Sequence, residues 1–520
     1  MSVAPTDPLH DVAPIAAFFD RAIRRFADRE CIVDGERRYT YRQFGDEVSR
    51  YIQVFKAYGL RRGDGIALLS GNRVEAMFVV AAAQFIGLRY VALHPLSKID
   101  EHIFVLDDAE ITALVLDAND YPEQARLRPG ELKVFTFDAF DAGIDISAHL
   151  PEFEPQDLVV EADGGELNWL YYTGGTTGRP KGVLMSHRMA VTNMMNLAAE
   201  REWPEAPRYL MASPISHAGG FNAGPVMLKG GAMIIIARFD PLLFLETVEK
   251  EQISAIVMVP TLLYSVLDHP RLKDFDLSSL KLIMYGSAPI SPQRLEQAIK
   301  AFGPIFGQFY GQSECGPISY LAAADHDLSK PHRLQSCGLP IAGKQVKVMN
   351  ANNEEVAVGD VGEICVRGPG VTDGYWKRPG EAEKVFAAGW LHTGDLAKRD
   401  AEGYLYIVGR AKDMVVTGGF NVYPKEVEDT IGQHPAVAIC AVIGVPHERW
   451  GEAVTAFVVL KAGETATEAE LIALVKDKRG AVQAPKTVHF VDDLPLTGYQ
   501  KVDKVALRKP FWAAQERQVG

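Results

Sequence analysis

The segment from Tyr171 to Gly182 combines residue types that are suited to binding a chain of phosphates. An apolar run, residues 170–172, predicts a buried strand that ends in a loop rich in glycine and threonine. Glycine has no Cβ, so backbone N–H groups and threonine hydroxyls can approach an anion closely. Lys181 adds a mobile positive charge. The residues predicted to contact nucleotide phosphates are Thr173, Gly174, Gly175, Thr176, Thr177, Gly178 and Lys181.

This loop differs from the common phosphate-loop motif, in which Gly-Lys-Ser/Thr opens a helix. Arg179 and Pro180 separate Gly178 from Lys181. Proline lacks an N–H group and disfavours helical geometry in the residue before it. The sequence therefore argues against a kinase or GTPase of the P-loop type.

A second group of polar residues follows a predicted strand that ends near Phe309. Ligands of open α/β sheets bind at the carboxyl ends of the strands. The tyrosine of this group can face a purine, and its carboxylate can hold Mg²⁺, which prefers carboxylate and phosphate oxygens. The residues of this group are Tyr310, Gly311, Gln312, Ser313 and Glu314.

Two further motifs lie at turns. The strand predicted at residues 280–284 runs into the small residues Gly286, Ser287, Ala288 and Pro289. Residues 390–395 end in a predicted turn with an exposed aspartate, Asp395, whose two oxygens suit the vicinal hydroxyls of a ribose.

These motifs, in this order, resemble those of the adenylate-forming superfamily, which includes acyl-CoA synthetases, free-standing peptide-synthetase adenylation domains and luciferases. The resemblance extends through Gly409-Arg410-Ala411-Lys412-Asp413 and a C-terminal segment around Lys501, and covers essentially the whole chain. Two substitutions depart from the family pattern: Ser313 replaces a threonine, and Gln500 replaces the glycine before the lysine.

The resemblance implies roles for individual residues. Lys501 and Glu314 would be catalytic, with Thr173 and Glu314 as magnesium ligands, and the 286–289 loop would line the adenine pocket. Arg410 would contact the ribose and Lys412 would be the hinge between domains. Gly418 and Gly419 would line the tunnel for the CoA thiol. The implied acyl-pocket residues are His217, Gly219, Phe221, Gly286, Gly311, Cys315 and Gly316.

The fold class predicted from strand–helix alternation is α/β. We predict a large N-terminal domain of mixed α/β sheets, residues 1–410, with a small β subdomain at about 338–409. A small mobile C-terminal α/β domain, residues 411–520, would carry the catalytic lysine.

Composition narrows the function classes. The 520-residue chain is 47% hydrophobic and 23% charged, with a formal net charge of −13. This charge argues against a nucleic-acid partner, and no segment predicts a membrane span. Five scattered cysteines without a Cys-x-x-Cys pair are typical of a reduced, cytoplasmic protein. The sequence is compatible with a homodimer.

The implied reaction joins a carboxylic acid to CoA with ATP and Mg²⁺, through an acyl-adenylate. No carboxylate follows His217 to pair an amino-acid substrate, and no arginine stands out to pair a second carboxylate. These features favour a hydrophobic monocarboxylic acid with a medium- or long-chain fatty, aryl or sterol side-chain group. The alternatives are an acyl-AMP ligase that loads a carrier protein and a luciferase-like adenylating enzyme. A non-catalytic nucleotide sensor is disfavoured because Lys501, Glu314 and Lys412 are all present.

Overall fold

The computed structural model describes residues 12–127, 132–173, 180–215, 218–496 and 502–513. Its helices are Ile15–Arg25, Tyr41–Ala57, Val74–Ile86, Ile99–Asp108, Pro122–Ala125, Ile146–His149, His187–Glu200, Ala218–Phe221, Ala223–Leu228, Pro241–Glu251, Pro260–Leu267, Pro292–Phe302, Pro379–Val385, Pro424–Ile431, Glu468–Arg479 and Lys504–Trp512. Short 3₁₀ turns are Leu150–Glu152, Leu272–Asp274, Ala323–Asp325, Pro331–Gln335 and Ala411–Asp413.

Two mainly parallel sheets form the N-terminal part. The seven-stranded sheet has the order Ile144–Asp145, Lys133–Thr136, Ile111–Leu116, Gly65–Leu69, Arg89–Ala92, Leu167–Thr173, Lys181–Ser186. The nine-stranded sheet has the order Leu339–Pro340, Gly316–Leu321, Phe306–Gln312, Leu282–Gly286, Ala255–Met258, Arg208–Met211, Ala232–Ile235, Glu30–Asp34, Arg37–Thr40. Helices lie in the connections between parallel strands, for example Val74–Ile86 between Gly65–Leu69 and Arg89–Ala92.

Two smaller sheets follow. The first has the order Gln345–Met349, Gly362–Arg367, Trp390–Arg399, Phe386–Ala387, and Leu405–Arg410 also pairs with Trp390–Arg399. The second has the order Phe420–Val422, Val415–Thr417, Gly451–Leu460, Val437–His447, and Thr487–Phe490 also pairs with Gly451–Leu460. The predicted α/β fold class, with a β-rich segment and a separate C-terminal α/β unit, agrees with this arrangement.

Local sequence signals explain where the first elements begin and end. Thr40 and Gln43 form a capping box at the start of Tyr41–Ala57, as their spacing predicts. Gly87 ends Val74–Ile86 in the left-handed conformation, at φ 78°, where an L side chain would be strained. Val74–Ile86 is buried on nearly every face because it lies between other helices and the sheet.

The buried side chain of His326 makes the stability of the fold depend on pH. Its Nδ1 donates to the Ala322 carbonyl at 2.8 Å, and its Nε2 accepts from the Tyr285 hydroxyl at 2.9 Å. Burial lowers the pKa of His326 to about 4, whereas the ordinary value is 6.5. The folded state therefore excludes a proton that the unfolded chain binds below about pH 6.5, and stability present above that pH is lost as the pH falls toward 4.

We expect His326→Gln to weaken the acid sensitivity of folding. The change removes a contribution of about 2 kcal/mol to the difference in unfolding free energy between pH 6.5 and pH 5. Urea unfolding at both pH values measures that difference. His332→Gln, at an exposed position, is the control and should leave it unchanged. An unaltered pH difference in His326→Gln would show that the imidazole is protonated in the folded state.

Candidate active site

A cleft with a volume of ≈ 2060 Å³ opens where the strands Leu282–Gly286 and Phe306–Gln312 end. The C-terminal helix Lys504–Trp512 lies on its opposite side and contributes Lys504 and Arg508 to the lining. The cleft therefore lies between the carboxyl edge of the nine-stranded sheet and the C-terminal unit, where open α/β sheets bind ligands.

Asp395 is the centre of a hydrogen-bonded group in this cleft, the Asp395 cluster, which also contains Tyr310, Gln312 and Arg410. One carboxylate oxygen, Oδ2, accepts from the Tyr310 hydroxyl and from Gln312 Nε2, both at 2.7 Å. The other, Oδ1, accepts from Arg410 Nε at 3.0 Å. The sequence predicted an exposed aspartate in a turn, and this was wrong. Asp395 is only 4% exposed because its strand, Trp390–Arg399, pairs with Leu405–Arg410.

Burial and the neighbouring charges keep Tyr310 protonated and Arg410 positively charged beside the Asp395 carboxylate. Burial, and then the neighbouring Asp395 carboxylate, raise the pKa of Tyr310 well above its ordinary value, so the hydroxyl remains a donor. Burial disfavours the charged guanidinium of Arg410, but Asp395 and Asp413 outweigh it and raise the pKa of Arg410. The cluster thus combines one carboxylate, one fixed cation and an aromatic ring.

Hydrogen bonds that hold the backbone next to Asp395 were not predicted from the sequence. Glu363 accepts from the Gly394 backbone N–H at 2.6 Å and contacts His392 Nδ1 at 2.8 Å. The Thr393 hydroxyl donates to the Ile364 carbonyl at 2.7 Å and accepts from the Asp395 N–H at 3.1 Å. These bonds fix the backbone that presents the Asp395 carboxylate.

Glu314 lies at the tip of a tight hairpin. The strands Phe306–Gln312 and Gly316–Leu321 pair antiparallel, with Gln312 opposite Gly316, which leaves a three-residue loop. Gly316 has φ 64°, the left-handed geometry that such loops need. Lys344, which is buried, donates to the carbonyl of Pro317 at 2.6 Å and to that of Cys315, and so holds the loop from below.

Tyr375 connects Glu314 to the strand that carries Lys181. Its hydroxyl donates to Glu314 Oε1 at 3.0 Å. The backbone around it is fixed on Lys181–Ser186, since the Trp376 N–H donates to the Gly182 carbonyl at 2.8 Å and Tyr375 bridges Val183. Sequence reasoning missed Tyr375 because no spacing signal relates it to residues about 60 and 190 positions earlier.

Lys181 is neutralised in this structure. Its Nζ contacts the Glu381 carboxylate and lies 5.7 Å from the centre of the Tyr375 ring. Hydrogen bonds from Lys181 and Lys384 lower the pKa of Glu381. The sequence predicted a freely mobile cation, but the cation is shared with Glu381, which no motif indicated. Lys181 faces Thr173 across the hairpin, and the two are register partners.

The loop after Leu282–Gly286 carries backbone strain. Ser287 has φ 64°, a conformation that costs a non-glycine residue roughly 1–3 kcal/mol and is found at ligand sites. Ser287, Ala288 and Pro289 line the cleft, as predicted. Gly286 does not line it: a Cβ there would lie 2.3 Å from the Phe309 carbonyl oxygen, so glycine permits the adjacent strand to approach.

Aromatic side chains form the wall of a second region of the same cleft. Phe221 stacks on Trp169 with ring centres 4.9 Å apart, and Tyr171 packs edge-on against Trp169 at 5.4 Å. All three line the cleft, together with Phe19 and Met194. This region is apolar and suits a hydrocarbon or aryl group.

The structure explains two glycines of the implied acyl pocket and corrects the position of Cys315. Gly311 and Gly316 line the cleft, but a Cβ on Gly311 would lie 2.3 Å from the Gly316 carbonyl oxygen, and one on Gly316 would meet Asn193. They bring chain segments together. The Cys315 thiol is fully buried in a cluster with Ile318 and Leu391, so it faces the β-rich sheet and not the cleft.

Arg201 bears on another expectation, that no arginine stands out in the sequence to pair a second carboxylate. It is 6% exposed and lines the cleft beside Phe221 and Asn222. Its sequence neighbourhood, Ala199-Glu200-Arg201-Glu202, looks like an ordinary solvated helix end. Only the packing of the helix end against Phe309 reveals that the side chain is buried.

The residues predicted to form the hinge connect two sheets. The turn Ala411–Asp413 follows Leu405–Arg410 and precedes Val415–Thr417, which belongs to the C-terminal sheet. Burial, and then Arg410, lower the pKa of Lys412. Asp413 accepts from Arg508 at 2.8 Å, and Lys504 contacts Glu428 at 2.6 Å.

The described C-terminal residues that line the cleft include Val502, Asp503 and Lys504. Gly418 and Gly419 form the turn of the hairpin Val415–Val422, at φ 57° and 83°, and are not among the described lining residues. Gly174–Gly178, His217 and Lys501 lie outside the described residues, so their predicted roles stay predictions.

Comparison with known proteins identifies the family of the chain. Residues 19–376 match the family described as AMP-binding enzyme, and residues 426–501 match the AMP-binding enzyme C-terminal domain. The chain belongs to this family. A medium/long-chain fatty-acid–CoA ligase of Mycobacterium tuberculosis is 45% identical over 518 residues, covering 96% of this chain and 90% of the relative.

Two other known proteins are similar to the chain over most of their length. A feruloyl-CoA synthase from an Amycolatopsis species is 35% identical, covering 91% of this chain and 94% of the relative. The solved structure of an amide bond synthetase from Marinactinospora thermotolerans superposes with a TM-score of 0.89 at 29% identity, covering 96% and 100% of the two chains. The predicted fold class and family are confirmed: the chain is an adenylate-forming ligase of the acyl-CoA synthetase type.

Proposed function

We propose that this AMP-binding enzyme activates a hydrophobic monocarboxylic acid in two steps. The acid and ATP give an acyl-adenylate and pyrophosphate, and CoA then gives an acyl-CoA thioester and AMP. The observation that carries the proposal is the joining, in one cleft, of an aromatic-walled pocket with the Asp395 cluster and Glu314.

The aromatic wall favours an acid with a long apolar or aryl group. Trp169, Tyr171 and Phe221 offer flat apolar faces, and one buried cation, Arg201, lines the same cleft. Relatives named for medium- and long-chain fatty acids and for ferulic acid support the same class. Sterol side-chain acids remain within the proposed range.

The nucleotide would occupy the other part of the cleft. The Asp395 carboxylate and Arg410 suit the two ribose hydroxyls, and Tyr310 with the 287–289 backbone suits the adenine. The glycine-rich loop that begins at Thr173 would bind the phosphates. There Lys181 would exchange its contact with Glu381 for a phosphate oxygen.

Glu314 suits a magnesium ion. Tyr375 engages only its Oε1, and the residue lines the cleft with Thr173, which supplies a hydroxyl. These two residues would hold Mg²⁺, which supplies charge neutralisation at the phosphates when it is bound.

Electrostatics dominates the first step, because a carboxylate must approach a phosphate. The carboxylate oxygen attacks the α-phosphorus, and the bond to pyrophosphate breaks. Lys501 would place its cation between the two groups. Fixed charges aimed at developing charge are the largest catalytic contribution in such sites. The cleft contacts of Val502 and Asp503, the residues that follow Lys501, support a C-terminal unit oriented for this step.

The second step requires a rearrangement. The CoA sulfur attacks the carbonyl carbon, and the bond to AMP breaks. Gly418 and Gly419 are not among the described residues that line the cleft, so the C-terminal unit would rotate about Lys412 to bring them to the acyl group. The proposed domain boundary, between residues 410 and 411, lies next to this pivot.

Other properties of the proposal rest on the sequence. A cytoplasmic location and a homodimer stay predictions. Within the described residues, no helix combines the length and apolarity needed to cross a membrane. An acyl-AMP ligase that loads a carrier protein, or a luciferase-like enzyme, would share the first step and differ in the second.

We expect pyrophosphate release that depends on both ATP and a hydrophobic acid, and continuous turnover that requires CoA. A panel of fatty, aryl and sterol side-chain acids, measured with and without CoA, tests this.

Asp395→Asn should raise the KM for ATP by about 10- to 100-fold, because Arg410 loses its charged partner.

The control for Asp395→Asn is Asp360→Asn, at an exposed turn, which should behave as wild type. Pyrophosphate release with no acid of the panel would contradict the proposal. Turnover with a carrier protein but never with CoA would support the carrier-loading alternative instead.

A further inference from the structure

An arginine with no acidic partner among the described residues is buried at the wall of the cleft. Arg201 follows the helix His187–Glu200, and only 6% of it is exposed. Its Nη1 donates to Asn222 Oδ1, and its guanidinium carbon lies 4.9 Å from the centre of the Phe309 ring. Its Nε is buried and has no hydrogen-bond partner in the described part of the chain.

The neighbouring acids do not neutralise this cation. Glu200 accepts from the Ala342 N–H at 2.7 Å, and Glu202 accepts from the Ala323 N–H at 3.0 Å. No carboxylate of the described residues lies within ion-pair distance of Arg201. An isolated buried charge is unfavourable unless a partner compensates it. Burial lowers the pKa of Arg201 to about 10, which still leaves the side chain charged at neutral pH.

The position of Arg201 separates it from the nucleotide. Phe309 and Tyr310 are consecutive residues of the strand Phe306–Gln312, and consecutive side chains of a strand point to opposite faces. Tyr310 joins the Asp395 cluster on one face. Arg201 packs on Phe309 on the other face, with Asn222 and Phe221, where the aromatic pocket lies.

Asn222 prevents Arg201 from turning away. Its Nδ2 donates to the Tyr209 hydroxyl at 3.2 Å while its Oδ1 accepts from Arg201, so the amide is oriented by two buried partners. The guanidinium is thereby held in place before any ligand arrives, which is the preorganisation that favours binding of a planar oxygen acceptor.

We propose that Arg201 binds a second oxygen acceptor of the substrate, a carbonyl or carboxylate remote from the reacting carboxyl group. The inference rests on the proposed function and refines it. The preferred acid is therefore hydrophobic along its length and carries an oxygen function near its far end. Such an acid supplies the partner that the described part of the chain does not supply.

Pyrophosphate release with three ten-carbon acids tests this: decanoic acid, 9-oxodecanoic acid and decanedioic acid. The wild-type enzyme should favour at least one oxygenated acid over decanoic acid by about tenfold or more in kcat/KM. The neutral ketone and the anion distinguish a carbonyl from a carboxylate as the group bound.

Arg201→Met removes the charge and keeps an apolar stem. It should abolish the preference while decanoic acid is used as well as before or better. Arg201→Lys retains the charge and should keep part of the preference. Arg42→Met, at the surface, is the control for removal of an arginine and should change neither value. Thermal unfolding with and without ATP identifies a variant that fails to fold. In that case Arg201→Lys carries the test, since an equal loss with all three acids would overturn the inference.

Two further outcomes count against it. If Arg201→Met lowers kcat/KM equally for all three acids, the residue stabilises the pocket and does not bind the distal oxygen group of the substrate. An unchanged preference would exclude contact with the distal group. A wild-type enzyme that adenylates no acid at all would overturn the proposed function, and this inference with it, and is recognised by the absence of pyrophosphate in every assay.

Discussion

Lys501→Ala is expected to lose about 100- to 1000-fold of the rate of pyrophosphate release, while it still converts supplied acyl-AMP and CoA to thioester. The reason is that a single fixed positive charge between two anions stabilises the first transition state, and loss of one such group costs rates of this size. Once the adenylate exists, the two anions are already joined and the lysine is no longer required.

Separate assays of the two half-reactions measure this effect. Lys476→Ala, on an exposed face of the helix Glu468–Arg479, tests for a general loss of charge in the C-terminal unit and should have no effect. If Lys501→Ala slowed both half-reactions to the same extent, the residue would be assigned to folding or domain position and not to charge neutralisation.

Lys412→Pro is expected to spare adenylation and to slow thioester formation by about 100-fold. Proline fixes φ near −65°, which is compatible with the 3₁₀ turn Ala411–Asp413 present in this structure. It opposes the dihedral change needed for rotation. A strain of about 3 kcal/mol in the rotated state corresponds to a rate loss of that size.

Lys412→Ala is the matched variant, since it removes the charge and leaves φ unrestricted. It should retain both half-reactions, whereas the proline variant should accumulate acyl-AMP in single-turnover experiments. Equal thioester rates in the proline variant and in wild type would remove Lys412 from the hinge.

The elements around the site follow from the sequence because their signals are local. Alternating strands and helices and the Thr40–Gln43 capping box depend on neighbouring residues, and the structure has them where they were predicted. The strands predicted to end near residues 284 and 309 extend to Gly286 and Gln312. The order of the motifs was sufficient to identify the family.

The predictions that failed concern burial and long-range pairing. Asp395 looked exposed because the strand that covers it, Leu405–Arg410, pairs with it only in three dimensions. Cys315 looked like a pocket residue because it follows Glu314, but the hairpin turns its thiol into the core. Tyr375 and Glu381 left no signal, since their partners are far away in sequence. Arg201 differs from a solvated helix end only through packing.

The two faces of the strand Phe306–Gln312 serve different partners, since Tyr310 joins the Asp395 cluster and Phe309 lies beneath Arg201. A single inserted or deleted residue there would exchange the faces and send each side chain to the wrong side. The side chains of each face can therefore be replaced independently, whereas a change in the length of the strand would alter both faces.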